Sequence, residues 1–317
     1  MNKKIKTTLK IALPLVLGII LVWYSLSKIS FQELLQYFKN ANYVYIFLGL
    51  LFGFLSHLSR AYRWKFMIEP MGYSLRISNS IMAVFAAYLV NYTIPRAGEI
   101  IRGSILTNYE GVPFEKGFGT IVAERIADML MMVIIIIITL FLEFEFIYEF
   151  FSARFSPFKL VIGSAILILV AVLFLIVIKR SKSKFAVKIK TFVSGLIEGA
   201  MSIFKMKKKW PFIFHTFFIW AMYILMFYIT TFSLEETTNL PLTAILIGFI
   251  SASFSIAATN GGIGSYPVAV YIAFSMFSIA KEPSIAFGWI MWSSQTLMII
   301  ILGGLSLIYL PIYNRRK

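Results

Sequence analysis

Residues 87–128 read AYLVNYTIPRAGEIIRGSILTNYEGVPFEKGFGTIVAERIAD. Long apolar runs flank this stretch, yet it carries Arg96, Glu99, Arg102, Glu124, Arg125 and Asp128, and Pro95 falls in mid-run. Charged side chains at membrane depth are costly and mark polar cavities or substrate paths. A broken helix at that depth is tolerated only where protein or a water-filled cavity covers the freed backbone. Both signals coincide here. The stretch therefore reads as the functional site of a membrane protein, and the rest of the chain as its support.

Composition agrees. Of 317 residues 59% are hydrophobic and only 14% charged, with a mean hydropathy of +0.83, whereas a soluble domain carries about 25% charged residues. Several runs exceed the roughly 18 apolar residues that span a bilayer. The expected fold class is an all-α polytopic membrane protein with about eight membrane segments, two of them broken or re-entrant hairpins, in one transmembrane domain over residues 1–317. The net charge of +16 fits the positive-inside rule and contact with anionic headgroups. Without an aromatic-and-basic motif it does not point to nucleic acid. There is no cysteine, which excludes disulfides and thiol chemistry. His57 and His215 stand far apart with no partner motif, and read as ordinary buried or interfacial histidines. No metal and no cofactor is expected.

Outward from the centre, the basic head MNKKIKTTLK and the apolar run to Leu26 read as a retained first helix with its N-terminus in the cytoplasm. FQELLQYFKNA (31–41) has helical apolar spacing but is too short to span, and is placed on the outer surface. A helix from Tyr43 to Trp64 ends in Arg60, Arg63 and Lys65, which puts that end inside. Ile77 to Thr107 is interrupted at IPRAGE, because Pro95 lacks a backbone donor and clashes with the preceding turn. Two short helices meeting at Thr93–Pro95 are expected. A helix from Lys116 to Phe141 ends in Glu143, Glu145 and Glu149, outside.

A helix from Phe158 to Ile178 returns inward. Residues 179–209 then carry ten Lys/Arg and one acid, Glu198. This segment reads either as a basic amphipathic helix on the cytoplasmic interface or as a plain positive-inside loop. A helix from Pro211 to Phe232 leads out to Glu235–Glu236. Leu240 to Ile279 is interrupted by ATNGGIGSYP, with Ser265 as the expected N-cap of a helix carrying Pro267 in its first turn. The last helix, Ser284 to Leu310, ends inside at NRRK. Inner segments then hold 24 of the 30 Lys/Arg, outer ones five against seven acids, with Arg125 remaining within a helix.

Units 43–143 and 211–310 share one pattern: helix, broken hairpin, helix, in opposite orientation. The break lies about 52 residues into the first unit and about 50 into the second, the mark of an inverted-topology repeat with a binding site at the matching breaks. Residues 144–210 join the units. The helices starting near Pro95 and Ser265 present N-termini suited to a phosphate or carboxylate. Arg96 and Arg102 add planar guanidinium forks. The GGIG segment allows either close backbone approach to a ligand or close helix packing. Glu124 and Asp128, four apart, share one helical face. With Arg125, Arg96, Glu99 and Arg102 they read either as an ion network locking hairpin to helix or as one that handles a polar headgroup. In both readings a hairpin arginine is expected to contact Glu124 or Asp128.

These motifs carry a resemblance. Pro95, Arg96, Gly98 and Glu99 with Arg102, then Glu124, Arg125 and Asp128, then Asn260, Gly261, Gly262, Gly264 and Ser265, resemble the lysylphosphatidylglycerol synthase transmembrane-region family, also called flippase-like domain proteins. Asn260 stands where proline is usual, and Ser265–Tyr266 where an aromatic–Glu pair is commoner. In two-part members an aminoacyl-transferase domain follows. This sequence ends at Lys317 after its last helix, and a stand-alone module without the synthase half is expected. The resemblance implies substrate-binding residues at those positions, no catalytic residue, and movement of an anionic or phosphate-bearing lipid between leaflets. The alternatives are an intramembrane lipid-modifying enzyme and a non-transporting partner of an envelope-lipid enzyme. Membrane lipids are the expected partners, with a second copy of the chain or an envelope enzyme as protein partners.

The charge distribution makes a direct prediction. In the naturally cysteine-free chain, Ser181→Cys should resist an impermeant thiol reagent added to intact cells and react after permeabilisation. Rapid labelling from outside would overturn the cytoplasmic assignment of both termini and of 179–209.

Overall fold

The computed structural model describes Val16, residues 18–94 and 96–152, isolated positions between 156 and 203, and residues 206–315. Pro95, about half of the expected helix 158–178 and most of the segment 179–209 lie outside the described residues. The helices are α1 (18–26), α2 (Phe31–Asn40), α3 (Tyr43–Ile68), α4 (Ile77–Thr93), α5 (Ala97–Glu110), α6 (Phe114–Leu142), α7 (Phe144–Ser152), α8 (Lys209–Thr231), α9 (Leu242–Ala258), α10 (Ser265–Ser275) and α11 (Lys281–Asn314). Among the described residues there is no strand. Among the described residues four helices are long and apolar enough to cross a membrane: α3 with the turn after it, α6, α8 and α11. By contrast α4 and α9 have 17 residues each, α5 has 14 and α10 has 11, short of the roughly 20 that a straight span needs.

The chain divides into two compact units, residues 1–122 with 207–317, and residues 123–206. In the first, α3 runs along α8, α4 packs on α5, α3 and α11, and α9–α10 packs on α11 and α8. Local chemistry sets several starts. Ser30 caps α2 by accepting from the Glu33 N–H, and Asn42 caps α3 by accepting from the Val44 N–H. The α3–α8 contact is close because Gly49 and Gly53, four apart on one face, meet Thr230 and Met226, where a Cβ would collide. Small residues at this spacing let backbones approach in apolar surroundings. An aromatic cluster joins the rest: the Phe227 ring of α8 meets Phe249, Phe274 and Phe287 edge-on, at centroid distances of 6.2, 6.2 and 5.3 Å.

Both expected breaks occur, with shifted details. The helix after the first break begins at Ala97, with Arg96 left-handed at φ 64° before it. The helix after the second is preceded by Gly264, also left-handed at φ 68°, so Gly264 and not Ser265 occupies the cap position and Ser265 is the first helical residue. Glycine is suited to that conformation because it carries no Cβ. A larger correction concerns Arg60 and Arg63. Expected at the polar end of a helix, they are buried, with Arg63 fully covered.

Two adjacent glycines of α11 offer a test of this packing. A Cβ on Gly303 would meet Leu89 and the Phe85 carbonyl of α4, while one on Gly304 would meet nothing within 4 Å. Gly303→Val should destabilise the purified protein by about 1–3 kcal/mol, the range for overpacking, with a visible loss of melting temperature in detergent. Gly304→Val should leave it nearly unchanged.

Candidate functional site

The two helix breaks meet, and side chains fill the hydrogen-bonding gaps that the breaks open. At the first break the Gly98 N–H donates to Asn91 Oδ1 at 2.8 Å, so a side chain of α4 satisfies the new helix start. A Cβ on Gly98 would strike the Ala87 carbonyl, which makes glycine the residue that lets α5 fold back on α4. At the second break Gly261, Gly262 and Gly264 all have positive φ. The Gly262 N–H donates to Thr259 Oγ1 at 3.2 Å, and Thr259 Oγ1 lies 2.8 Å from Ser265 Oγ, closing the loop across its mouth.

Between the breaks, Asn260 Nδ2 donates to the Tyr92 carbonyl at 2.6 Å. The Tyr92 ring lies over Gly261, where a Cβ would collide with it. The Gly261 carbonyl accepts from Trp292 Nε1 at 2.8 Å, and Tyr92 Oη accepts from Thr296 Oγ1 at 3.3 Å. Gly264 sits against the backbone of Leu21 and Val22 in α1, with no room for a side chain. Asn260 and the glycines of the second hairpin thus join the first hairpin and α11 in one junction. The Asn260 side-chain amide is the donor that links the two hairpins.

The charged residues fall in two groups. In the first unit, Arg96 is exposed beside the start of α5, and Glu99 lies in the first turn of that helix, where the helix dipole favours a carboxylate. Arg102 is only 4% exposed, and its guanidinium lies 3.8 Å from the centre of the Trp64 ring. A desolvated cation–π pair of this kind contributes about 2 kcal/mol. Trp64 Nε1 in turn donates to Thr120 Oγ1 at 2.7 Å. Nearby on α3, Arg63 donates from Nη1 to Thr216 Oγ1 at 2.9 Å and faces the Phe212 ring. In the second unit, Glu124 and Asp128 are buried on α6, while Arg125 is exposed and pairs with Asp128 at 3.9 Å. The hairpin arginines and the α6 carboxylates therefore belong to different units. Pro95 lies outside the described residues.

Several polar groups escaped the sequence reading. The run Ser293-Ser294-Gln295-Thr296 sits mid-way along α11, half-buried. Four consecutive polar residues inside a spanning helix were the missed signal. The two histidines, unremarkable in sequence, both lie at the α3–α8 contact. His57 Nδ1 is 3.4 Å from Tyr223 Oη, and its ring packs on Phe85 and Tyr88, while His215 Nδ1 is 2.8 Å from Ser59 Oγ. Glu110, the last residue of α5, has a side chain only 4% exposed. It accepts from Arg76 Nε at 3.0 Å and from Asn79 Nδ2 at 2.5 Å, and Asn79 continues to Asn314 at the far end of α11.

Among the described residues, helices without strands, four potential spans and a polar junction between broken helices define a membrane protein. Residues 11–304 match the family described as the lysylphosphatidylglycerol synthase TM region, and the chain belongs to that family. It is similar to the UPF0104 membrane protein MJ1595 of Methanocaldococcus jannaschii, 25% identical over 309 residues covering 89% of each chain. It is also similar to the UPF0104 membrane protein PH1989 of Pyrococcus horikoshii, 22% identical over 214 residues, 64% of this chain and 61% of that protein. No solved structure matches.

Asn260→Leu removes the donor to Tyr92 and strands a buried carbonyl, a loss of about 1–3 kcal/mol. Its melting temperature in detergent should fall clearly below that of Asn108→Leu, a change at an exposed position of α5. Equal melting temperatures would show that the junction contributes nothing to the fold.

Proposed function

We propose that this protein moves a lipid with an anionic or phosphate-containing headgroup between leaflets of the cell membrane, without chemically altering it. The observation that carries the reading is the meeting of two helix breaks at one polar junction, Asn260 to Tyr92, in a chain of this family. Breaks at matching positions in helices of opposite direction are the arrangement in which transporters bind substrate at the interface of an inverted repeat. On this reading 43–143 and 211–310 are the two repeat units, and both termini are cytoplasmic.

Roles follow from chemistry. Arg96, exposed beside the start of α5, offers a planar fork for phosphate next to helix N–H groups. Gly261, Gly262 and Gly264 let a headgroup approach the backbone with no Cβ between. Three acids and three arginines stand among the six motif residues, a balance of charge that apolar surroundings tolerate.

The test is reconstitution of the pure chain in proteoliposomes holding fluorescent phosphatidylglycerol in one leaflet. Leaflet exchange should depend on the protein, and the recovered lipid should be chemically unchanged. Arg96→Lys keeps the charge but loses the bidentate fork. It should slow exchange about tenfold, the size of one charged hydrogen bond, with an unchanged melting temperature. Normal exchange by Arg96→Lys would move the headgroup contact elsewhere. A modified lipid would replace transport by catalysis, and no exchange would leave a non-transporting membrane partner.

A further inference from the structure

We infer that a groove formed by α2, the start of α3 and the middle of α11 is the seat of one alkyl chain of the lipid whose headgroup the junction handles. The inference rests on the proposed lipid function and adds a place for the tail. The open groove has a volume of about 530 Å³, within the roughly 300–1,000 Å³ of ligand sites, which are mostly apolar with a few placed polar groups. Its apolar walls are Phe38 of α2, Ile46 of α3, and Ile290, Leu297 and Ile300 of α11. Leu297 and Ile300 are exposed large side chains. Two of its three helices, α3 and α11, are long and apolar enough to cross a membrane, so hydrocarbon is what the open side meets.

The remaining wall argues for a particular lipid rather than passing solvent. Ser293, Ser294 and Thr296 line the groove together with Trp292. Ser293 and Ser294 donate to carbonyls of their own helix, Ile290 at 3.3 Å and Met291 at 3.1 Å. Each hydroxyl oxygen still carries acceptor capacity, which a lipid hydroxyl can use. Trp292 and Thr296 are the residues that bond Gly261 and Tyr92. The back of the groove is therefore the junction itself. An amphiphile fits this arrangement: its chain lies along the isoleucines and Leu297, and its oxygen-bearing end lies against the hydroxyls, one residue from the two breaks.

The experiment is photolabelling of the full chain in vesicles of phosphatidylethanolamine and phosphatidylglycerol, with a phosphatidylglycerol carrying a diazirine in its acyl chain as the probe. Adducts are mapped by mass spectrometry. Lipid adducts should concentrate on the peptides bearing Phe38–Ile46 and Ile290–Ile300, above those on Phe214 and Phe217, exposed residues of α8. Leu297→Trp fills the groove and should reduce its labelling about tenfold, with the α8 signal unchanged. Thr296→Val, nearly isosteric, should lower groove labelling if the polar end is held there, and serves if the tryptophan variant does not fold. Groove labelling no stronger than that of α8, or indifferent to both variants, would overturn the inference. Specific groove labelling without leaflet exchange would keep the groove and sink the transport reading. Exchange with an unlabelled groove would do the reverse.

Discussion

Breaking a helix in apolar surroundings frees N–H and C=O groups that water cannot reach, and each unsatisfied group costs several kcal/mol. This constraint shapes the first unit. The Gly98 N–H is met by Asn91, the Tyr92 carbonyl by Asn260, the Gly261 carbonyl by Trp292 and the Gly262 N–H by Thr259. Two of the four partners come from the same hairpin, one from the opposite hairpin and one from α11. Neither break is closed by its own residues alone, so each hairpin stands where the other, or the long helix behind it, can reach.

The same logic governs the buried cations. Arg102 and Arg63 are both buried, although Arg63 stands near the basic end of α3. One lies on the Trp64 face and the other bonds Thr216 beside Phe212. An aromatic face and a hydroxyl offset part of the desolvation cost that a guanidinium meets on burial. The glycines of α3 add the second requirement, since Gly49 and Gly53 bring α8 close enough for the Arg63–Thr216 and Ser59–His215 contacts to form along the same pair of helices. Packing and polar pairing are thus one design along α3.

In the proposed transport, a junction made by side-chain bonds has a further merit. Each contributes about 1 kcal/mol net, so any one can be exchanged for a headgroup contact without unmaking a helix. The groove on the other side of Trp292 and Thr296 would let tail and headgroup occupy adjoining sites.

The sequence by itself determined where helices stop and which stretches matter. Proline lacks a donor and glycine adopts positive φ wherever they stand, so the interruptions near Pro95 and at Gly261–Gly264 could be read locally, as could the charge of the PRAGE and ERIAD motifs and the apolar runs around them. Tertiary structure decided what each group meets. Asn260 and Tyr92 are 168 positions apart and Arg63 and Thr216 are 153 apart, and no local rule links them. Arg76 and Asn79 meet Glu110 from 34 and 31 positions away. Hydrogen bonding at a break is set by backbone conformation over a few residues. Burial is set by whichever helices pack on the side chain, and that exists only once the chain has folded.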